Sequence, residues 1–371
     1  MTHPPADDAA FNRLAIDLFR LQFDHVPPYR RLCQARGVAP DKISRWTEIP
    51  PVPTVAFKEW DLSSLPAAGR TTVFHSSGTT AQRPSRHFHN AESLSLYESS
   101  LLPWFRKHLL PDADRFALIS LTPSPFLAPR SSLAHMLGAV HREFGSAESR
   151  FTGATDGTGA WLLDSDTAAT ALRNAGAGNQ PVAILGTAFS FVHLLDALAP
   201  SGVCLRLPRG SRAMETGGYK GRARQFPKAE LHSLITRHLS IPASHIVSEY
   251  GMSELSSQAY DHAVCADASM LRPSRPSTLQ RAFHFPPWAR ARVVSPETGV
   301  EVADGETGLI QVYDLANLRS VMAVQTEDLG TRREDGFELV GRATPTEPRG
   351  CSLMQIETKN PAGAAGLKDA T

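Results

Sequence analysis

Apolar residues recur along this chain first at helical and then at strand spacing. Phe11, Leu14, Ala15 and Leu18 fall at i, i+3, i+4 and i+7, which predicts an N-terminal helix with that face buried. The prolines at 50, 51 and 53 then force an extended stretch after Ile49. Through the middle, short apolar runs of buried-strand type alternate with helix-like pieces. The runs are Phe116 to Leu121, Val182 to Leu185, Val203 to Leu207 and His245 to Ser248. Gly186 and Thr187 lead from the second run into a helix over Phe189 to Leu198. Pro227 marks the first turn of another helix, with Leu231, Leu234 and Ile235 as its apolar face. This alternation predicts an α/β fold on a largely parallel sheet. From Ala291 the runs shorten and are separated by PETG and DGETG turns, the pattern of a hairpin-rich subdomain. The expected organisation is an α/β body over 1–290, a β-rich subdomain over 291–345 and a short C-terminal remnant over 346–371, whose last residues, Asn360 to Thr371, are small and polar and expected to fray.

Composition narrows the classes of function. Of 371 residues, 42% are hydrophobic and 20% charged, enough apolar side chain for a large core and too much for a disordered chain. The formal net charge of +1 gives no general electrostatic reason to bind nucleic acid or an anionic membrane. Cys33, Cys204, Cys265 and Cys351 form no CxxC pair, so neither a zinc ribbon nor a disulfide scaffold is indicated. The opening MTHPPADDAAF lacks the basic and apolar regions of a secretory signal. His193 and Asp196 break the most apolar stretch, Val182 to Leu198, which is too short to span a bilayer. A cytoplasmic protein without integral membrane association is expected.

Three motifs carry candidate chemistry. In FHSSGTTAQRPSRH, Ser76, Ser77, Gly78, Thr79 and Thr80 set small hydroxyl residues around a glycine, so backbone N–H groups and hydroxyls can meet phosphate oxygens closely. Arg83 and Arg86 add positive charge, and no GxxxxGK[ST] string exists in the chain. In SEYGMSEL, Tyr250, Gly251, Ser253 and Glu254 follow a predicted strand, at the sheet edge where α/β proteins bind ligands; a carboxylate there can hold Mg²⁺ beside phosphates. In TEDLG, Asp328 is expected at a strand end, where it can accept from both hydroxyls of a ribose. Arg342 in LVGRA, after a short turn, can reach a phosphate or the ribose. Each piece alone also reads as ordinary structure: a surface loop, a turn before a helix, a hairpin with an exposed ion pair. His75, His87 and His89 surround the first loop; they are expected to hydrogen-bond rather than to ligate a metal.

Order and spacing together say more. SSGTT, then YGxSE about 170 residues later, then the PETG and GETG hairpins, then TxD and GR, resembles the sequence order of the adenylate-forming (ANL) superfamily over Phe74 to Gly350. Within it the chain is most similar to the acyl-protein synthetase (LuxE) family of bacterial luminescence operons. The opening LFRLQFDHVPPYRRLC…IPPVPTVAFK resembles that family's, and SSGTTAQRPSR lacks the Gly-x-Pro-Lys ending of larger synthetases. ETGGYKGR, with Gly217 and Gly218, looks like the loop that packs on adenine. The resemblance implies the large N-terminal ANL domain with its β-rich subdomain, the C-terminal domain being vestigial or absent. It also implies ATP and Mg²⁺ as cofactors, a fatty carboxylic acid as substrate, and an acyl-accepting reductase or carrier protein as partner.

Cys351, in RGCSL, matches by position the cysteine that takes the acyl group in this family. A thiolate attacks an acyl-adenylate readily, and Arg349 is placed to favour the thiolate. Cys33, Cys204 and Cys265 read as structural. Two departures from the superfamily stand out: no well-motivated counterpart of its C-terminal catalytic lysine (Lys220, Lys359 and Lys368 are nearest), and Thr344 at the usual hinge position. The leading expectation is an ATP-dependent, AMP-forming acid–thiol ligase. Two alternatives stay open: an acyl- or aryl-CoA ligase, which shares every motif of the first half-reaction, and a non-catalytic binding subunit that keeps the fold.

Overall fold

The computed structural model describes residues 8–76, 83–199, 205–217, 227–264 and 281–343. In chain order it forms α1 (Asp8–His25), α2 (Pro27–Ala35), β1 (Val52–Pro53), α3 (Ala56–Glu59), β2 (Thr72–His75), β3 (Arg86–His89), α4 (Ala91–Leu109), β4 (Ala117–Ser120), α5 (Ser132–Phe144), β5 (Arg150–Phe151), β6 (Gly153–Thr155), β7 (Trp161–Leu163), α6 (Ser165–Ala177), β8 (Val182–Thr187), α7 (Ala188–Leu198), β9 (Arg212–Thr216), α8 (Lys228–Leu239), β10 (Ile246–Tyr250), β11 (Ala259–Tyr260), β12 (Ala289–Val294), β13 (Thr307–Asp314), β14 (Ala323–Arg333) and β15 (Gly336–Arg342).

Two sheets organise these elements. The first has the order β11-β10-β9-β8-β4-β5, and its strands are parallel except for β11. Alternation along each strand sends side chains to two faces. Ile184, Ala213 and Ile246 meet α6, α7 and α8 on one face; Leu185, Met214 and Val247 meet α4 and α5 on the other. The parallel register aligns the C-terminal ends of β8, β9 and β10, Thr187 beside Thr216 beside Glu249. That edge is where an open α/β sheet binds ligands. The second sheet runs β1-β14-β13-β12, with β15 on β14. A third core joins it to α1 and α2 through Phe19, Tyr29, Val312 and Val324.

Sequence expectation and structure part at three places. Leu14 is 55% exposed; the buried face of α1 is Phe11, Ala15, Leu18, Phe19 and Gln22. Gln22 belongs there because its amide is satisfied in the core, donating to Asn317 O at 2.8 Å and accepting from Met322 N at 2.9 Å. The predicted strand over Val203 to Leu207 is absent from its described part, Leu205 to Leu207. Those residues cross the surface of the second core, and Leu207 N donates to Leu239 O at 3.3 Å. Pro208 and Gly210, whose φ is +91°, then turn the chain into β9. β9 escapes a hydrophobicity reading because three of its five buried side chains, Arg212, Glu215 and Thr216, are polar and paired. Arg212 forks onto Asp112 at 2.7 and 3.1 Å, and Glu215 meets His232 Nε2 at 3.2 Å. Third, Asp328 lies inside an eleven-residue strand rather than at its end, beside a register shift at Leu329 and Gly330.

Candidate active site

β10 delivers the YGMSE segment to the edge of the first sheet, where Tyr250 is its last residue. Beyond Tyr250 the chain leaves helical and strand geometry until β11, so residues 251–258 form a connecting loop that needs partners for its backbone. The second sheet supplies them. Asp314, at the end of β13 and fully buried, accepts from Ser256 N at 2.9 Å, Ser257 N at 2.8 Å, Ser257 Oγ at 2.7 Å and Ala316 N at 3.0 Å. Burial still pushes its pKa up, against those four donors. Asn317 Nδ2 donates to Glu254 O at 2.9 Å. From the other side His87 Nδ1 donates to Ser253 O at 2.9 Å.

Glu254 is 5% exposed, and Ser253 Oγ donates to its Oε2 at 2.9 Å. Its Oε1 has no hydrogen-bond partner among the described residues. One available carboxylate oxygen suits Mg²⁺, which is commonly held by one or two carboxylates while phosphates and water complete its octahedron. Among the described residues no three His, Cys, Asp or Glu side chains converge as a metal cage.

Tyr250 crosses to the other sheet. Its ring packs on Phe283, Phe285 and Phe337, and its hydroxyl donates to Asp328 Oδ2 at 2.9 Å. Burial and then the Asp328 charge hold this phenol far above its ordinary pKa, so it stays a donor. Asp328 faces Arg342 in the β14–β15 register, with Arg342 Nε 3.8 Å from its Oδ1; Arg342 Nη2 lies 3.4 Å from Glu327 Oε2. The Arg342 side chain is 73% exposed, so this is a mobile surface pairing worth little to stability and open to exchange for a ligand anion.

The hydroxyl-rich loop is stapled at its neck. Ser76 N donates to Ser85 O at 3.2 Å, and Ser85 N donates to Ser76 Oγ at 2.9 Å. β2 and β3 form the hairpin that carries it, and the His87 bond to Ser253 O docks that hairpin on the YGMSE loop. Arg86 is committed to Asp61 at 2.9 Å. His87 and His89 share a face of β3, 4.2 Å apart between ring centroids, and His89 Nδ1 lies 3.2 Å from Ser93 Oγ. Burial pushes the pKa of His87 down to about 4 and that of His89 lower still. Both therefore act as neutral hydrogen-bonding rings.

Gly217 follows β9 directly at the same edge, with φ +70°, a conformation that favours glycine. Ser77, Gly78, Thr79, Thr80, Gly218 and Cys351 lie outside the described residues, as do Cys204 and Cys265. Cys33 is fully buried in α2, and burial drives its thiol pKa up to about 11, as suits a structural cysteine. The structure therefore gathers Gly217, Tyr250, Gly251, Ser253, Glu254, Asp328 and Arg342 at one strand end, and Ser76 lies on the hairpin docked there through His87. Sequence reasoning missed Asp314 and Asn317, which hold the loop; a DLAN tetrapeptide has no spacing that separates it from a turn.

Comparison with known proteins gives the family and the fold. A family model described as "Acyl-protein synthetase, LuxE" matches residues 6–358. A long-chain-fatty-acid–luciferin-component ligase of Aliivibrio fischeri is 35% identical over 79 residues, 19% of this chain and 21% of that one. The match thus spans about a fifth of that relative. Among solved structures, an open conformation of a 2-hydroxyisobutyryl-CoA ligase in complex with 2-HIB-AMP and CoA has a TM-score of 0.64 at 13% identity, covering 92% of this chain and 74% of that one. The same ligase in its thioesterification state has a TM-score of 0.65 at 14% identity, covering 92% and 68%. The expected α/β architecture is that of these acyl-CoA ligase folds. Among the described residues no helix is long and apolar enough to cross a membrane.

Proposed function

Because the chain belongs to the LuxE acyl-protein synthetase family, we propose that it is an ATP-dependent, AMP-forming ligase that passes an acyl group through a cysteine to a partner protein. The observation that carries this reading is the Tyr250–Asp328–Arg342 chain, which joins the two sheets beside the buried Glu254. A carboxylate oxygen of the acid attacks the α-phosphorus of ATP, the bond to the bridging oxygen breaks, and pyrophosphate leaves with that electron pair. Asp328, oriented by Tyr250, accepts from the ribose hydroxyls, and Arg342 turns from its surface pairing towards the nucleotide. Ser76, with Ser77, Gly78, Thr79 and Thr80, contacts the phosphates, while Gly217 and Gly218 lie along the base. Glu254 holds Mg²⁺, which neutralises phosphate charge when bound. The protein contributes positioning and fixed charge, the terms that dominate such displacements.

In the second half-reaction the Cys351 thiolate attacks the acyl carbonyl, AMP departs, and the thioester is handed to an acyl-accepting reductase or carrier protein in the cytoplasm. A fatty acid is the substrate named for the relative from Aliivibrio fischeri, and it is the first class to test. ATP–pyrophosphate exchange with a panel of fatty and aromatic acids tests activation; absence of exchange with every acid would leave a binding subunit. Cys351→Ala should keep exchange near wild type while losing the label from radioactive acid plus ATP, and the wild-type label should be released by neutral hydroxylamine. Persistent labelling of that variant would move the acceptor to another thiol; coenzyme A-dependent thioester release by it would identify an acyl-CoA ligase.

A further inference from the structure

Tyr250 and Glu249 are neighbours on β10 and point to opposite faces of the sheet. Tyr250 turns to Asp328, and Glu249 turns to the other face, the one on which Val247 of the same strand meets α4 and α5. Glu249 is 6% exposed. Its Oε2 accepts a short hydrogen bond from Thr216 Oγ1 at the end of β9. Its Oε1 sits against Gly251, where a Cβ would come within 2.3 Å of it. Among the described residues no cation pairs with it, and the one charged neighbour that acts on it, Glu215, repels. Tyr260 lies directly opposite in the β10–β11 register, and its buried hydroxyl has no hydrogen-bond partner among the described residues. Tyr97 OH is used by Gln258 Nε2 at 3.2 Å.

A carboxyl can accept about four hydrogen bonds. Leaving one buried with a single hydroxyl partner, beside an unpartnered phenol, is costly unless a further group completes it. Burial accordingly pushes the Glu249 pKa up to about 7. The position is one residue before the YG pair, at the edge that binds ligands. It lies on the face of β10 away from Asp328.

We infer that the carboxylic acid activated here carries a hydrogen-bond donor, a hydroxyl or an amine, on its chain, and that Glu249 with Thr216 receives it. The inference rests on the activation chemistry proposed above and narrows its substrate class. A plain alkyl chain would seal Glu249 and Tyr260 off with their hydrogen-bonding capacity unmet, and sites built this way reject the analogue that lacks the polar group.

The test is ATP–pyrophosphate exchange by the full chain with matched acids: butyrate and decanoate against their 3-hydroxy, ω-hydroxy and ω-amino counterparts. At least one substituted acid should exceed its parent about tenfold or more in kcat/KM. Glu249→Gln, close to isosteric, should erase the amine preference and weaken the hydroxyl preference. Glu249→Leu should invert the order in favour of the plain acid, and Thr216→Val should reduce discrimination without inverting it. Circular dichroism checks that each variant is folded; should Glu249→Leu fail to fold, the wild-type ranking and the Gln variant still decide. Parent acids used as well as or better than every substituted acid by wild type would overturn the inference while leaving activation standing. A preference untouched by Glu249→Gln would overturn the assignment to Glu249. No exchange with any acid would overturn the activation reading and this one with it.

Discussion

Asp314 and Asp328 come from neighbouring strands of the same sheet and reach across to β10 and the loop after it, yet they do opposite things. Asp314 is fully buried and takes four hydrogen bonds from Ser256, Ser257 and Ala316. Asp328 has a side chain 21% exposed, accepts from one phenol and stands 3.8 Å from a solvent-exposed guanidinium. The first fixes a loop from inside the core; the second stands at the edge of the sheet beside an exposed cation. Residue type does not separate them. Burial does, because a carboxylate closed in by backbone N–H groups cannot be reached by a ligand, whereas a partly exposed one can.

The largest way to break that contrast is at Asp314. Asp314→Ala strands two loop N–H groups, the Ala316 N–H and the Ser257 hydroxyl in a dry site, and should lower unfolding stability by about 3 kcal/mol or more, read from the urea midpoint. A drop below about 1 kcal/mol would show that water replaces the carboxylate and that the clamp is not structural.

The two faces of β10 sharpen the contrast through pH. Glu249 has its folded pKa raised to about 7 from an ordinary 4.5. The native state therefore holds a proton that the unfolded chain has lost, and stability conferred below about pH 4.5 is progressively lost as pH rises through about 7. The span is on the order of 3 kcal/mol at most, at about 1.4 kcal/mol per unit. Glu249→Gln should flatten that part of the profile in urea melts taken from pH 4.5 to 8; an unchanged slope would assign it to other groups.

Asp328→Ala should act on ligand use rather than on the fold. Loss of a charge-assisted bond predicts an ATP requirement raised by roughly 1.5–3 kcal/mol, with an unfolding midpoint close to wild type. Equal binding of ATP and 2′,3′-dideoxy-ATP by the unmutated protein would remove the ribose assignment. Glu254→Gln gives the smallest expected effect, at least a tenfold fall in pyrophosphate exchange, about 1.4 kcal/mol. Normal exchange at limiting Mg²⁺ would show that this carboxylate does not hold the metal.

The chain's periodicity was enough to announce α1, β4, β8, α7, α8 and β10, because each buries a run or stripe of apolar side chains that is visible locally. It was also enough to place the YG pair at a strand end. β9 stayed hidden for the complementary reason: Arg212, Glu215 and Thr216 are buried by virtue of Asp112, His232 and Glu249, partners that are distant in sequence or unmarked by it. The order of motifs pointed to the adenylate-forming family before any contact was known.

What the sequence determined by itself was therefore the class of fold and the residues of the motifs, since hydrophobic spacing and small-residue turns are local properties of the chain. Tertiary structure alone decided which carboxylates are buried and which stay accessible. It closed Asp314 on the loop after Tyr250, set Asp328 between Tyr250 and the exposed Arg342, and turned Glu249 to Thr216 in the interior. A carboxyl group's chemistry is set by its desolvation and its donors, and those are contributed by residues that only the folded chain brings together.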